Sequence, residues 1–306
     1  MLHFLASRIL QGIVVVFAVL VITFGLQKLS PTSPFNNEKA LSEEQLERMK
    51  AKYGFDQPPH VQLWRHIKAY ATLDPPESIR KPGRGVGEII AQSFPVSLAI
   101  AVPSLLIALC LGVPLGAIAA LRPHTLEDRT ATFVATLGIC LPSFVLGPLV
   151  ALCFGIWLRW FNVAGWMDPS DWVLPSLTLG FIYSGYIARL TRGGLRETLV
   201  QDFIRTARAK GASEKSVVLR HALKLACLPV INFLGPAAAG LLTGSFVIEL
   251  VFQIPGLGQH FVSSAQERDD FVAVGITVFF AVLVVGFNIL VDLIQAAVNP
   301  RIGLKT

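Results

Sequence analysis

Six apolar runs alternate with polar stretches along the chain, at 9–29, 94–121, 132–158, 173–190, 228–252 and 271–298. Each supplies roughly the 20 residues that an α-helix needs to cross the hydrocarbon core of a bilayer. The pattern predicts an all-α integral membrane protein with six transmembrane helices. The first run follows a short start containing Arg8, as a secretory signal would. Its apolar stretch is nevertheless longer than a signal's h-region of roughly 7–15 residues, and it ends in Lys28, Ser30 and Pro31 without an A-x-A-like cleavage site, so an uncleaved signal-anchor helix is expected.

Composition agrees with the pattern. Hydrophobic residues make up 53% of the 306 positions and charged ones 15%, against about a quarter charged in soluble domains. Fourteen Lys and Arg lie beside the spans on the side of both termini, nine of them between Arg189 and Lys224, and only Arg159 and Arg268 lie in the short loops opposite. The positive-inside bias then puts both termini in the cytoplasm of a multi-pass inner-membrane protein. The segment 30–93 carries nine basic and eight acidic residues, but a stretch of that length crosses largely regardless of charge. The net charge of +6 is mainly this bias, and no nucleic-acid-binding motif accompanies it, so nucleic acid is excluded as a partner. Cys110, Cys140, Cys153 and Cys227 lie in or at the edge of the runs, with no CxxC, and read as small packing residues.

The segment 31–92 reads as a small ordered cap on the outer side. Ser42 and Gln45 fit a capping box, but Leu41, Leu46, Met49, Val61, Leu63, Trp64 and Ile67 are too few for a core of their own. The chain has no HExxH, GxSxG or phosphate-binding loop, so no metal or catalytic residue is expected and this chain is not an enzyme. His60 and His66 match no ligand spacing and read as surface histidines. Two acids stand out within the spans, Glu249 and Asp292. An ionisable residue at membrane depth is a functional candidate by default; Glu249 could line an outer gate or pathway, and Asp292 could do so or pair with an arginine at the inner end. Frequent Gly and Pro in the spans, including Gly112-xxx-Gly116 and Gly240-xxx-Gly244, suit a packed bundle that bends and lets helices approach closely.

The longest polar segment on the inner side, 191–226, reads as two short helices with a break. The first covers about 195–210 with Phe203, Ile204 and Ala207 on one face; Gly211 follows where a left-handed backbone suits glycine. Ser213 then caps the second helix, with Glu214 in its first turn. The resulting elbow has a small-residue tip flanked by basic side chains. That composition suits either insertion into a groove on another protein or attachment to anionic membrane lipid, each basic residue contributing ~1 kcal/mol near the surface.

The string Phe203-Ile204-Arg205-Thr206-Ala207-Arg208-Ala209-Lys210-Gly211, followed by Leu219-Arg220-His221-Ala222-Leu223 and Leu228-Pro229-Val230, resembles the coupling loop of ABC importer permeases of the oligopeptide and dipeptide type. Leu29-Ser30-Pro31, Ser93-Phe94-Pro95-Val96-Ser97, Leu141-Pro142-Ser143-Phe144, Ile254-Pro255-Gly256-Leu257-Gly258 and Asn299-Pro300-Arg301-Ile302 extend the resemblance along the whole chain. It departs from the general E-A-A-x3-G motif in having Arg205-Thr206-Ala207 at its start, and Leu223-Lys224 stands where many relatives have Leu-Pro.

The resemblance implies a type I ABC importer permease with an N-terminal transmembrane helix (1–30), an extracytoplasmic cap (31–92) and a permease core (93–298). Its coupling helix, comprising Arg205, Thr206, Ala207, Arg208, Ala209, Lys210, Gly211, Ala212 and Ser213, would dock on a cytoplasmic ATPase. The implied partners are a second homologous permease, two ABC ATPase subunits and an extracytoplasmic peptide-binding protein. ATP and Mg would be used by the ATPases, with no cofactor on this chain. Oligopeptides are the leading substrate; dipeptides, glutathione, nickel complexes or sugars are the alternatives within the family. A secondary transporter is the rival outside it, disfavoured because the halves show no internal repeat.

Overall fold

A computed structural model of the chain describes residues 2–30, 34–35 and 43–298. In chain order it contains α1 (Leu2–Leu29), α2 (Glu43–Tyr53), α3 (Pro59–Ala71), α4 (Val86–Leu121), α5 (Leu126–Cys140) and α6 (Ser143–Val150). A π-helical stretch (Ala151–Trp157) and a 3-10 turn (Pro169–Trp172) lead into α7 (Val173–Leu199) and α8 (Asp202–Ala209). Next come α9 (Glu214–Ser216), a second π-helical stretch (Val217–Ala222) and α10 (Leu223–Ala226). The chain closes with α11 (Leu228–Gly244), α12 (Phe246–Val251), α13 (Leu257–Glu267) and α14 (Asp270–Val298). The one β feature among the described residues is an isolated bridge between Glu77 and Gly85.

Among the described residues four helical stretches are long and apolar enough to cross a membrane: Leu5–Leu29, Val86–Leu121, Leu228–Val251 and Asp270–Gln295. The run expected at 132–158 is not one straight helix, because α5 and α6 meet at a bend of 109°. Pro142 explains the break: it disfavours a helical backbone at the residue before it, and Leu141 is extended at φ −78°, ψ 120°. Counting this bent pair as one span gives five. The sixth expected run is present as α7, whose arginines and buried Ser176, Thr178 and Ser184 leave it too polar to qualify by composition alone. At 36 residues α4 is about 54 Å long, so it begins well before the apolar run that announced it.

The chain divides into two compact units, Met1–Val96 with Pro255–Val285, and Ser97–Ile254 with Gly286–Thr306. In the first unit the cap packs both on itself, with Phe35 against Tyr53 and Phe55, and on helices distant in sequence. Phe35, Ile79, Val86 and Ile89 share a core with Leu257, Phe271, Val272, Ile276 and Phe280, against which Leu46 and Met49 pack. Asp269, just ahead of α14, is buried and accepts the Ser78 hydroxyl together with the backbone N–H groups of Ile79, Arg80 and Val272. One carboxylate thereby starts α14 and ties the 78–80 turn to it. The capping box expected at Ser42 lies outside the described residues, as do the sequences at 31–33 and 299–302.

His60 is exposed as expected, but His66 is not a surface residue. It is 8% exposed and packs among Phe24, Tyr70 and Phe271, with Nδ1 lacking a hydrogen-bond partner. Burial, reinforced by the charge of Lys28, lowers its pKa from 6.5 to about 4.

In the second unit α7 is the helix around which α5, α6, α10, α11 and α12 pack. Glycines allow this. A Cβ on Gly112 or Gly116 of α4 would run into the Ser184 or Ala188 carbonyl of α7, so the Gly-xxx-Gly face does seat a helix. The reciprocal glycines Gly185 and Gly194 on α7 press equally closely on the carbonyls of Ala135 and Ala226, and Gly180 presses on the Ile107 side chain, which the run of residues had not announced. All four cysteines are free thiols, with Cys110 and Cys140 exposed rather than packed.

Candidate functional site: the basic elbow and its anchor

The polar loop folds as an elbow, with its first helix placed differently from expectation. Instead of one helix over 195–210, α7 continues to Leu199, the chain pauses at Val200 and extended Gln201, and α8 begins at Asp202, whose charge suits a helix N-terminus. Gly211 follows α8 with φ +82°, the left-handed value expected there. Ser213 caps α9 by accepting the Ser216 N–H at 3.4 Å, and Arg208 closes the tip by donating to both Glu214 oxygens at 2.7 and 3.1 Å. The Arg208 guanidinium holds the Glu214 carboxyl below its ordinary range.

One face of the elbow is fixed to the rest of the unit. Ile204 is fully buried in a cluster with Ala120, Leu195, Val217, Ala222 and Ala226, and Ala207 and Ala212 pack on its edge. The other face is open: Arg205, Thr206, Arg208, Ala209, Lys210, Gly211 and Ser213 are exposed. Of the nine residues singled out in this segment, seven therefore present an outer surface and the two alanines support it.

Arg192, counted in the sequence only among basic flanks, has a particular partner. Its guanidinium donates to both oxygens of Asp128 on α5, at 2.8 and 3.1 Å. Asp128 also accepts the His124 backbone N–H at 3.0 Å and the Thr132 hydroxyl at 3.3 Å. Neither residue stood out in the sequence, because an acid and an arginine 64 positions apart carry no local pattern.

Glu249, on α12, is fully buried. Its Oε1 accepts the hydroxyls of Ser97 on α4 and Ser245 at the α11–α12 break, both at 2.8 Å. Asp292 is half-buried on α14. Among the described residues no group of three His, Cys, Asp or Glu side chains could hold a metal.

These features define a multi-pass helical membrane protein with an exposed basic elbow rigidly attached to a membrane helix. The family model described as "Binding-protein-dependent transport system inner membrane component" matches residues 112–304, and its N-terminal companion matches residues 1–77. The oligopeptide transport system permease protein OppB of Salmonella typhimurium is 39% identical over 304 residues, and the dipeptide transport system permease protein DppB of Bacillus subtilis is 40% identical, each covering 99% of both chains. An inward-facing structure of the MetNI methionine ABC transporter covers 69% of this chain and 96% of its own with a TM-score of 0.59 at 20% identity. A crystal structure of an amino acid ABC transporter with histidines gives a TM-score of 0.54 at 15% identity. The chain belongs to the family of inner-membrane components of binding-protein-dependent transport systems, and its helices adopt the permease fold of ABC importers.

Proposed function

We propose that this chain is the peptide-translocating permease subunit of an ATP-driven importer and that its elbow, Arg205 to Ser213, is the docking element for an ATPase. One observation carries the reading: the tip of the elbow is exposed while Ile204 and Leu195 lock its other face to α4 and α7, so a push at the tip moves membrane helices as a body. A bistable bundle needs partners that stabilise its states differently. Two ATPases binding ATP and Mg, a second homologous permease and an extracytoplasmic peptide-binding protein would supply them. The lysine and arginine asymmetry supports cytoplasmic termini, with the elbow on the same side.

Relatives named for oligopeptides and for dipeptides are almost equally similar, which supports a peptide substrate. Glu249 and Asp292 stay candidates for the gate or pathway; because Glu249 is closed off within the subunit, a gating role requires its bonds to Ser97 and Ser245 to open. The test is affinity purification of the tagged chain from native membranes beside a Gly211→Asp variant. Recovery of P-loop ATPases and a second permease with the unsubstituted chain, and loss of the ATPases with the variant, is the expected result. A chain recovered alone or as a homo-oligomer would move a secondary transporter to the front.

A further inference from the structure

Most exposed side chains along the spans are aliphatic, as on α4, where Val102, Leu106, Leu111 and Ile118 face outward. The α7–α11 surface differs. Tyr183 and Tyr186 on α7 converge with Phe233 on α11: the Tyr186 and Phe233 rings stack at 5.7 Å, and Tyr183 lies 6.3 Å from each of them. Tyr183 is ten residues into α7, about 15 Å from its first residue, which is half the thickness of a hydrocarbon core. Tyr186 is 39% exposed, and Asn232, next to Phe233, is also exposed. Neither tyrosine hydroxyl nor the Asn232 amide hydrogen-bonds another described residue.

A face of this kind does not belong against lipid. An amide left without partners in an apolar medium is costly, and polar groups at membrane depth turn toward protein or water. We propose that Tyr183, Tyr186, Phe233 and Asn232 form a contact station for the translocated peptide, midway through the membrane. The proposal rests on the peptide-import reading above and adds the residues that would meet the substrate.

The chemistry suits a peptide backbone. Asn232 offers two donors and an acceptor, and each tyrosine hydroxyl offers one donor and two acceptors, matching the repeating N–H and C=O of an extended chain. The ring faces accept side chains of any kind through dispersion, so the station grips the backbone without selecting sequence. Gly240 preserves the space: a Cβ there would come within 2.6 Å of the Tyr183 hydroxyl. The nearest cation along α7 is Arg189, about one turn beyond Tyr186, so a neutral backbone meets no fixed charge among the four.

The test uses the complete transporter with its binding protein in liposomes and tritiated tetraalanine as the probe. Tyr186→p-benzoylphenylalanine is expected to transfer label to this subunit on illumination during turnover, and excess unlabelled peptide to abolish the transfer. The same replacement at Leu106 is expected to remain unlabelled. Tyr186→Ala and Asn232→Leu should each lower uptake by about tenfold while ATPase activity stimulated by the loaded binding protein stays near that of the unsubstituted complex. A purely structural role would depress both together. Cross-links only to the second permease or to lipid, with uptake unchanged in the two variants, overturn the station. Failure of the unsubstituted transporter to accumulate tetraalanine, read before any cross-link, overturns the peptide reading and the station with it.

Discussion

Arg192 of α7 and Asp128 of α5 are joined through both nitrogen–oxygen contacts of a fork, at 2.8 and 3.1 Å, with the Asp128 side chain only 7% exposed. The pair anchors the helix that leads into the elbow. A paired buried charge adds little over an apolar pair, yet removing one member strands the other. Arg192→Ala, which strands the covered Asp128 carboxylate, is expected to destabilise more than Asp128→Ala, which leaves an arginine 31% exposed to find other partners, and the double variant clearly less than their sum. The check is a double-mutant cycle on thermal stability of the detergent-solubilised chain; additivity within ~0.5 kcal/mol would mean that the two side chains do not act as a unit.

Adjacent glycines on α7 should behave oppositely. A Cβ on Gly193 meets nothing within 4 Å, whereas one on Gly194 collides with the Ala226 carbonyl. Gly193→Ala is expected to stabilise by up to about 1 kcal/mol through helix propensity, and Gly194→Ala to destabilise by about 1–3 kcal/mol through overpacking. Equal unfolding midpoints for the two variants would refute the packing described for α7 and α10.

The Gly211 position has room for a side chain but a left-handed backbone. Retention of the ATPase partner on purification should therefore fall in the order Gly211, Gly211→Asn, Gly211→Ala, Gly211→Val, because asparagine tolerates φ > 0 and a β-branched residue does not. If asparagine and alanine reduced retention equally, the loss would come from bulk at the docking surface rather than from backbone strain.

Both serine hydroxyls at Glu249 donate to one oxygen, which a glutamine would keep. Glu249→Gln is expected to preserve stability within ~1 kcal/mol, while Glu249→Ala leaves two buried hydroxyls without that acceptor and costs about 2–4 kcal/mol. Uptake measured in the glutamine variant decides the gating role, since unchanged uptake disposes of it.

The pKa of His66 falls from 6.5 to about 4 in the fold, first through burial and then through Lys28. Below pH 6.5 the unfolded chain binds the proton that the folded chain refuses, so the contribution of the neutral ring is complete above that value. It is lost progressively down to about pH 4, and amounts to about 3 kcal/mol. His66→Phe, which keeps a ring among Phe24, Tyr70 and Phe271, should flatten the fall in unfolding temperature between about pH 7 and pH 5. A variant whose profile still declines as steeply would place the titration elsewhere.

Local chemistry made much of this legible along the chain. Gly211 and Ser213 were readable because a left-handed C′ residue and an N-cap hydroxyl act within one turn, and both appear as expected. Frequent prolines in the spans announce bending in general, but the 109° angle at Pro142 is not legible, since a proline constrains one dihedral and its neighbours settle the angle. His66 was misread because nothing within a polar helix tells that Phe271, more than two hundred residues away, will cover it.

The sequence by itself determined the membrane class, the approximate positions of the helices, the elbow and the family, because hydrophobic length, charge asymmetry and short caps are written in contiguous residues. Tertiary structure decided which face of the elbow is free, that Arg192 grips Asp128, that Asp269 holds the cap segment to α14, and that Tyr183, Tyr186 and Phe233 meet. These relationships depend on which helix faces approach one another. That is settled by the summed packing of glycine notches and buried side chains over the whole unit, and no local stretch of residues encodes it.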